Sequence, residues 1–119
     1  LSTPDADAWA GAAQVGAAAV DGPLQDASGR DTWLIDELGD GFTALHMADA
    51  ARPDVPDGIA LKVIGEDLVD AQGLFAARYD ARPGSTWLFR PDQYLCARFR
   101  TFDSAALAAA RARALGQQP

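Results

Sequence analysis

A chain of 119 residues, 49% of them apolar, suffices for one domain with a buried core. Its formal net charge of −7 disfavours nonspecific binding to nucleic acid or to anionic membranes, and no apolar run is long enough for a spanning helix. One cysteine, Cys96, excludes an internal disulfide and fits a reducing, cytoplasmic setting.

The chain opens Leu1-Ser2-Thr3-Pro4-Asp5, without the basic and apolar regions of a secretory signal. An opening on Leu leads us to expect a piece of a longer protein. Residues 1–20 are rich in Ala, Gly, Asp and Pro and read as a linker or extended arm. Trp9 stands out there, since a ring in a free linker is wasted. It is expected to pack on this domain or on a neighbour. Residues 21–119 form the folded domain.

Thr32 to Leu38 reads as a short helix, capped by Thr32 and ended by Gly39 in the left-handed conformation. Gly41 releases the chain into Phe42–Met47, an apolar strand of buried type. Pro53, Pro56 and Gly58 leave room for one helical turn at most before a second apolar strand, Ile59–Ile64. Val69–Ala77 is read as a turn followed by a short helix. Pro83-Gly84 marks a turn, with Arg82 extended before the proline. Ser85–Arg90 is a strand, Pro91-Asp92 a type I turn, and Tyr94–Arg100 the antiparallel partner strand. Asp103 or Ser104 caps a final helix through Leu115, with Arg111 and Arg113 near its negative end and Gly116 after it. The two early strands are expected to run parallel and the hairpin to add an antiparallel pair. The fold class is therefore α/β and thioredoxin-like: a small mixed sheet with a C-terminal β-hairpin and helix, and a truncated first crossover helix.

The charges divide unevenly. Residues 1–57 carry eleven acidic and two basic side chains, residues 58–119 six and eight. The basic excess is small and scattered, so it reads as solvated surface. Nine of the ten basic residues are Arg, which with the abundant Ala points to a high-GC bacterial genome.

Chemistry is sparse. Gly11, Gly16 and Gly22 lack the spacing and the strand-to-helix setting of a dinucleotide loop, so no FAD or NAD(P)H site is read in this chain. Ala48-Asp49-Ala50-Ala51 stands where a thioredoxin-like plan would carry its reactive thiol. Cys96 lies mid-strand and reads as a small buried residue. His46, the lone histidine, sits on a core strand and is expected to be hydrogen-bonded to its neighbours. No metal site is expected. Asp36/Glu37 and Glu66/Asp67 are adjacent in sequence and point apart, so they are not an acid/base pair. Arg82, Arg90, Asp92 and Arg98 gather around the hairpin. Local ion pairing is the preferred reading, and an interface is the alternative.

Two passages carry a family likeness. Leu34-Ile35-Asp36-Glu37-Leu38-Gly39-Asp40-Gly41-Phe42-Thr43-Ala44-Leu45 resembles the leader helix and following strand of FAD-dependent aromatic hydroxylases. Arg78-Tyr79-Asp80-Ala81-Arg82-Pro83-Gly84 and Leu88-Phe89-Arg90-Pro91-Asp92-Gln93-Tyr94-Leu95-Cys96-Ala97-Arg98 resemble a passage near their C-termini. The motif residues are Gly41, Phe42, Tyr79, Arg82, Pro83, Gly84, Arg90, Pro91, Asp92 and Arg98, all in structural roles. The family includes phenol hydroxylase, hydroxyphenylpropionate hydroxylase and the polyketide and rifampicin monooxygenases.

The resemblance implies a noncatalytic, thioredoxin-like C-terminal domain. Its partners would be upstream FAD and substrate domains of the same chain, with a contribution to homodimer contacts. FAD and NAD(P)H would belong to the parent enzyme. One departure is that Ala48–Gly58 is too short and proline-rich for the full helix that relatives often carry there. Two other readings stand beside it. One is a thioredoxin- or peroxiredoxin-like redox protein acting through Cys96, and the other is a stand-alone small-molecule carrier with a closed apolar pocket.

Overall fold

The computed structural model describes residues 1–117. Seven strands and three helices follow one another as β1 (Pro23–Asp26), β2 (Asp31–Trp33), α1 (Leu34–Glu37), β3 (Phe42–Met47), β4 (Ile59–Ile64), β5 (Leu68–Val69), α2 (Leu74–Tyr79), β6 (Thr86–Phe89), β7 (Leu95–Phe99) and α3 (Ser104–Ala114). The strands form one mixed sheet in the order β2-β1-β5-β4-β3-β6-β7. β3 and β4 are parallel over six residue pairs, Phe42↔Ile59 to Met47↔Ile64. β6 runs antiparallel to β3 and to β7. This is the thioredoxin-like mixed sheet with its C-terminal hairpin and helix, and residues 48–58 cross from β3 to β4 without a helix.

Strand alternation sends side chains to two cores. One face carries Leu45, Trp87, Phe89 and Leu95, covered by Phe75 and Tyr79 of α2. Phe75 stacks on Tyr79 with ring centroids 4.7 Å apart and meets the edge of Trp87 at 5.2 Å. The other face carries Phe42, Ala44, Leu88 and Ala97, covered by Leu107 and Ala110 of α3. Asp103 caps α3 by accepting from the Ala106 amide at 3.0 Å, and Gly116 follows the helix at φ 76°.

The start of the domain differs from expectation. Thr32 does not cap α1. It lies in β2, paired with Leu24, and its hydroxyl donates to Glu37 Oε2 at 2.9 Å. The Asp21 carboxylate instead accepts from the Ile35 amide at 3.1 Å. Leu38, in extended backbone, ends α1, and Gly39 is not left-handed. The β1–β2 hairpin claims the residues that a longer helix would need.

The hairpin β6–β7 contains a bulge. Leu88 pairs with Ala97 but Phe89 pairs with Leu95, so Cys96 is the extra residue. Leu95 therefore joins the α2-side core while Cys96, Ala97 and Phe99 join the α3 side.

Candidate functional site

The motif residues fall in five places. Gly41 and Phe42 open β3. Phe42 is buried, with the Arg111 guanidinium 5.5 Å from its ring centre. Tyr79 closes α2, fully buried, and its hydroxyl donates to the Val20 carbonyl at 2.6 Å. Burial raises its pKa above the ordinary phenol value.

Arg82-Pro83-Gly84-Ser85 is a tight turn closed by Ser85 N donating to Arg82 O at 2.9 Å. Gly84 has φ 89°, which suits glycine at the third position of a type II turn. The turn sits against the end of β3, where the Gly84 amide donates to Met47 O at 2.9 Å. Beside it, buried His46 faces Thr86 Oγ1 at 2.8 Å through Nδ1 and Asp49 Oδ1 at 3.3 Å through Nε2. The lone histidine is thus hydrogen-bonded to its neighbours, as expected. The His46 contact, aided by the Ala50 amide, holds the Asp49 carboxyl below its ordinary value. Arg82 and Pro83 are exposed.

Arg90-Pro91-Asp92-Gln93 is the hairpin turn, closed by Gln93 N donating to Arg90 O at 2.9 Å. Arg90 pairs with Asp92 and lies 5.2 Å from the centre of the Tyr94 ring. Local pairing therefore accounts for these two charges.

Arg98 behaves differently. It is 8% exposed, and its nearest acid is far away in sequence. Nε and Nη2 donate to Asp5 Oδ1 and Oδ2 at 3.0 and 2.8 Å, and Nη1 donates to Ala13 O at 3.0 Å. Arg100, two residues on, pairs with Asp80 and donates to Ala8 O at 3.2 Å. Trp9 lies against both guanidinium groups, 4.8 Å from Arg98 and 3.6 Å from Arg100. It also meets Trp87 at 6.1 Å. Trp9 thus packs back on this domain. Sequence reading missed Asp5, Asp80 and Arg100 as members of this cluster. The available signal was an Arg-x-Arg alternation running off the end of β7, which in extended backbone puts both side chains on one face.

Cys96 is fully buried in the bulge, and burial pushes its thiol up to about 11. That is the opposite of an activated thiolate. Among the described residues no group of three His, Cys, Asp or Glu could hold a metal, and no helix is long and apolar enough to cross a membrane. A groove of about 370 Å³ separates Leu1 and Thr3 from Phe99, Ala106 and Arg113. Another of about 440 Å³ lies by Trp33, Leu24, Leu74 and Arg78. Both are open to solvent, unlike the closed pocket that a carrier requires. Trp33, Val69, Tyr94 and Leu115 are exposed apolar side chains.

No family model matches this sequence, and no curated protein matches it. The fold is nevertheless found among solved structures. A ternary complex of aklavinone-11 hydroxylase with FAD and aklavinone contains a region similar to this chain, with a TM-score of 0.65 and 18% sequence identity. The likeness covers 82% of this chain and 20% of that one, so this chain spans about a fifth of the hydroxylase it resembles.

Proposed function

We propose that this chain is a noncatalytic structural domain of an FAD- and NAD(P)H-dependent aromatic-ring monooxygenase. Its work is to dock on the flavin and substrate domains and to support homodimer contacts, while chemistry is done elsewhere in the parent enzyme. The observation that carries this reading is the fold likeness to one fifth of a hydroxylase whose structure holds FAD and aklavinone. The residues agree with it. The turns built on Pro83-Gly84 and Pro91-Asp92 serve the hairpin, and the one thiol is buried with a raised pKa. That thiol argues against a redox protein working through Cys96.

Antibodies against this domain test the proposal on extracts of the source cells. The expected native product is several times longer than this chain, binds FAD, and oxidises NAD(P)H faster with a phenolic compound present. The isolated domain is expected not to bind FAD. A native product the size of this domain, or flavin bound by the domain alone, would overturn the reading.

A further inference from the structure

Every hydrogen-bond partner recorded for the Arg98 side chain lies in the first twenty residues: both oxygens of Asp5 and the carbonyl of Ala13. Residues 20–117 thus offer this cation no anion, and the arm that supplies its partners also covers it through Trp9. A bidentate carboxylate contact is a strong charge-assisted pair for arginine, so the arm completes the electrostatics of β7. The backbone makes a parallel case. β7 is the last strand of the sheet. Its free edge pairs with the arm through Thr3 N to Cys96 O at 2.8 Å, Gly16 N to Leu95 O at 2.8 Å and Leu95 N to Ala17 O at 3.0 Å. Ala18 bridges Tyr94 in antiparallel fashion.

From this arrangement we infer that the β7 edge, with Arg98 and Arg100, is a peptide-recognition surface. It holds a segment carrying a carboxylate four residues before an aromatic ring, and the chain fills it with its own Asp5 and Trp9. Main-chain pairing on either side of that segment, by Thr3 and by residues 16–19, supplies affinity, as in strand addition to a sheet edge. The bidentate Arg98–Asp5 contact fixes register, and Trp9 on Arg100 adds a cation–π contact. The arm is therefore a ligand held in cis rather than a free linker. The inference concerns only this chain's residues and does not depend on the hydroxylase reading.

Amide hydrogen exchange on the full chain tests it, with no flavin in the readout. The amides of Thr3, Gly16 and Ala19 are expected to exchange at least about tenfold more slowly than unbonded amides, because each is held by β7 or its turn. Asp5→Asn, a change on the exposed arm, is expected to speed their exchange about tenfold while the β3–β4 ladder keeps its protection. An unlabelled peptide of residues 2–19 is then added to isotope-labelled Asp5→Asn protein. It is expected to displace the weakened arm at concentrations of about a millimolar, the range of a tethered competitor. The displaced arm amides lose protection and Leu95 keeps it. Free exchange of the arm in the unaltered chain would overturn the inference. So would an Asp5→Asn arm as protected as the original, or a peptide that displaces nothing.

Discussion

Gly11→Ala probes the arm at its closest approach to the body. Gly11 has φ 83°, and a Cβ there would lie 2.6 Å from the Arg78 carbonyl oxygen and 2.9 Å from that of Ala77. Both obstacles are backbone at the end of α2, and the Arg78 carbonyl is also held by the Ala13 amide at 3.0 Å. Neither can swing aside as a side chain would. The left-handed backbone alone costs an L-residue about 1 kcal/mol. Forcing a methyl group into filled space adds about 2 kcal/mol, so the docked arm should lose roughly 3 kcal/mol in all. Gly29→Ala separates the two contributions, because Gly29 has φ 87° and nothing within 4 Å of its added Cβ. It should cost only the backbone share, about 1 kcal/mol. Urea unfolding gives both values, and hydrogen exchange shows where the loss falls. Gly11→Ala should release the arm and thereby leave Arg98 to solvent without its carboxylate. Equal destabilisation by the two variants, with arm protection intact, would refute the packing argument.

Three further outcomes are expected. Phe75→Ala removes a fully buried ring that stacks on Tyr79 and meets the edge of Trp87 and should cost about 3–5 kcal/mol in thermal or urea unfolding; a loss below about 1 kcal/mol would mean that this side of the sheet is loosely packed. The Cys96 thiol, pushed from 9.0 up to about 11, favours the native state fully below 9.0 and loses that contribution as pH rises towards about 11. Cys96→Ala should flatten this alkaline decline, and alkylation of the native thiol should follow global unfolding; rapid modification of the folded protein would contradict the burial. Asp80 is held below its ordinary 3.8 by the Ala10 amide and by Arg100. Its contribution is present above 3.8 and lost as pH falls through the lower folded value. Asp80→Asn should reduce the acid sensitivity of stability measured by urea midpoints, and an unchanged acid limb would show the pair to be ineffective.

The elements legible in the sequence are those whose own residues determine them. Phe42–Met47 and Ile59–Ile64 are apolar runs, the hairpin is framed by Pro83-Gly84 and Pro91-Asp92, and α3 announces itself with Asp103 and Gly116. β1, β2 and β5 were not foreseen. They are two to four residues long and exist through pairing with distant strands, which leaves no local period to read. Asp26 shows the same limit, since it shapes the β1–β2 turn by accepting from the Ser28 and Arg30 amides. The hairpin arginines were legible as a group, but their partners were not equally so. Arg90 meets an acid two residues away, whereas Arg98 meets one at a sequence distance of 93. Only the fold brings that second pair together.

The bulge at Cys96 lets one short strand serve two masters. Upstream of it, Leu95 belongs to the α2 layer; downstream, Ala97 and Phe99 belong to the α3 layer, and Arg98 is left facing the arm. Deleting Cys96 itself would leave Leu95 and Ala97 as neighbours already paired with Phe89 and Leu88, so the two-beat alternation would survive the loss of the bulge. What the extra residue adds is a second small apolar side chain beside Ala97 on the α3 side, which substitution of Cys96 by another small apolar residue would keep.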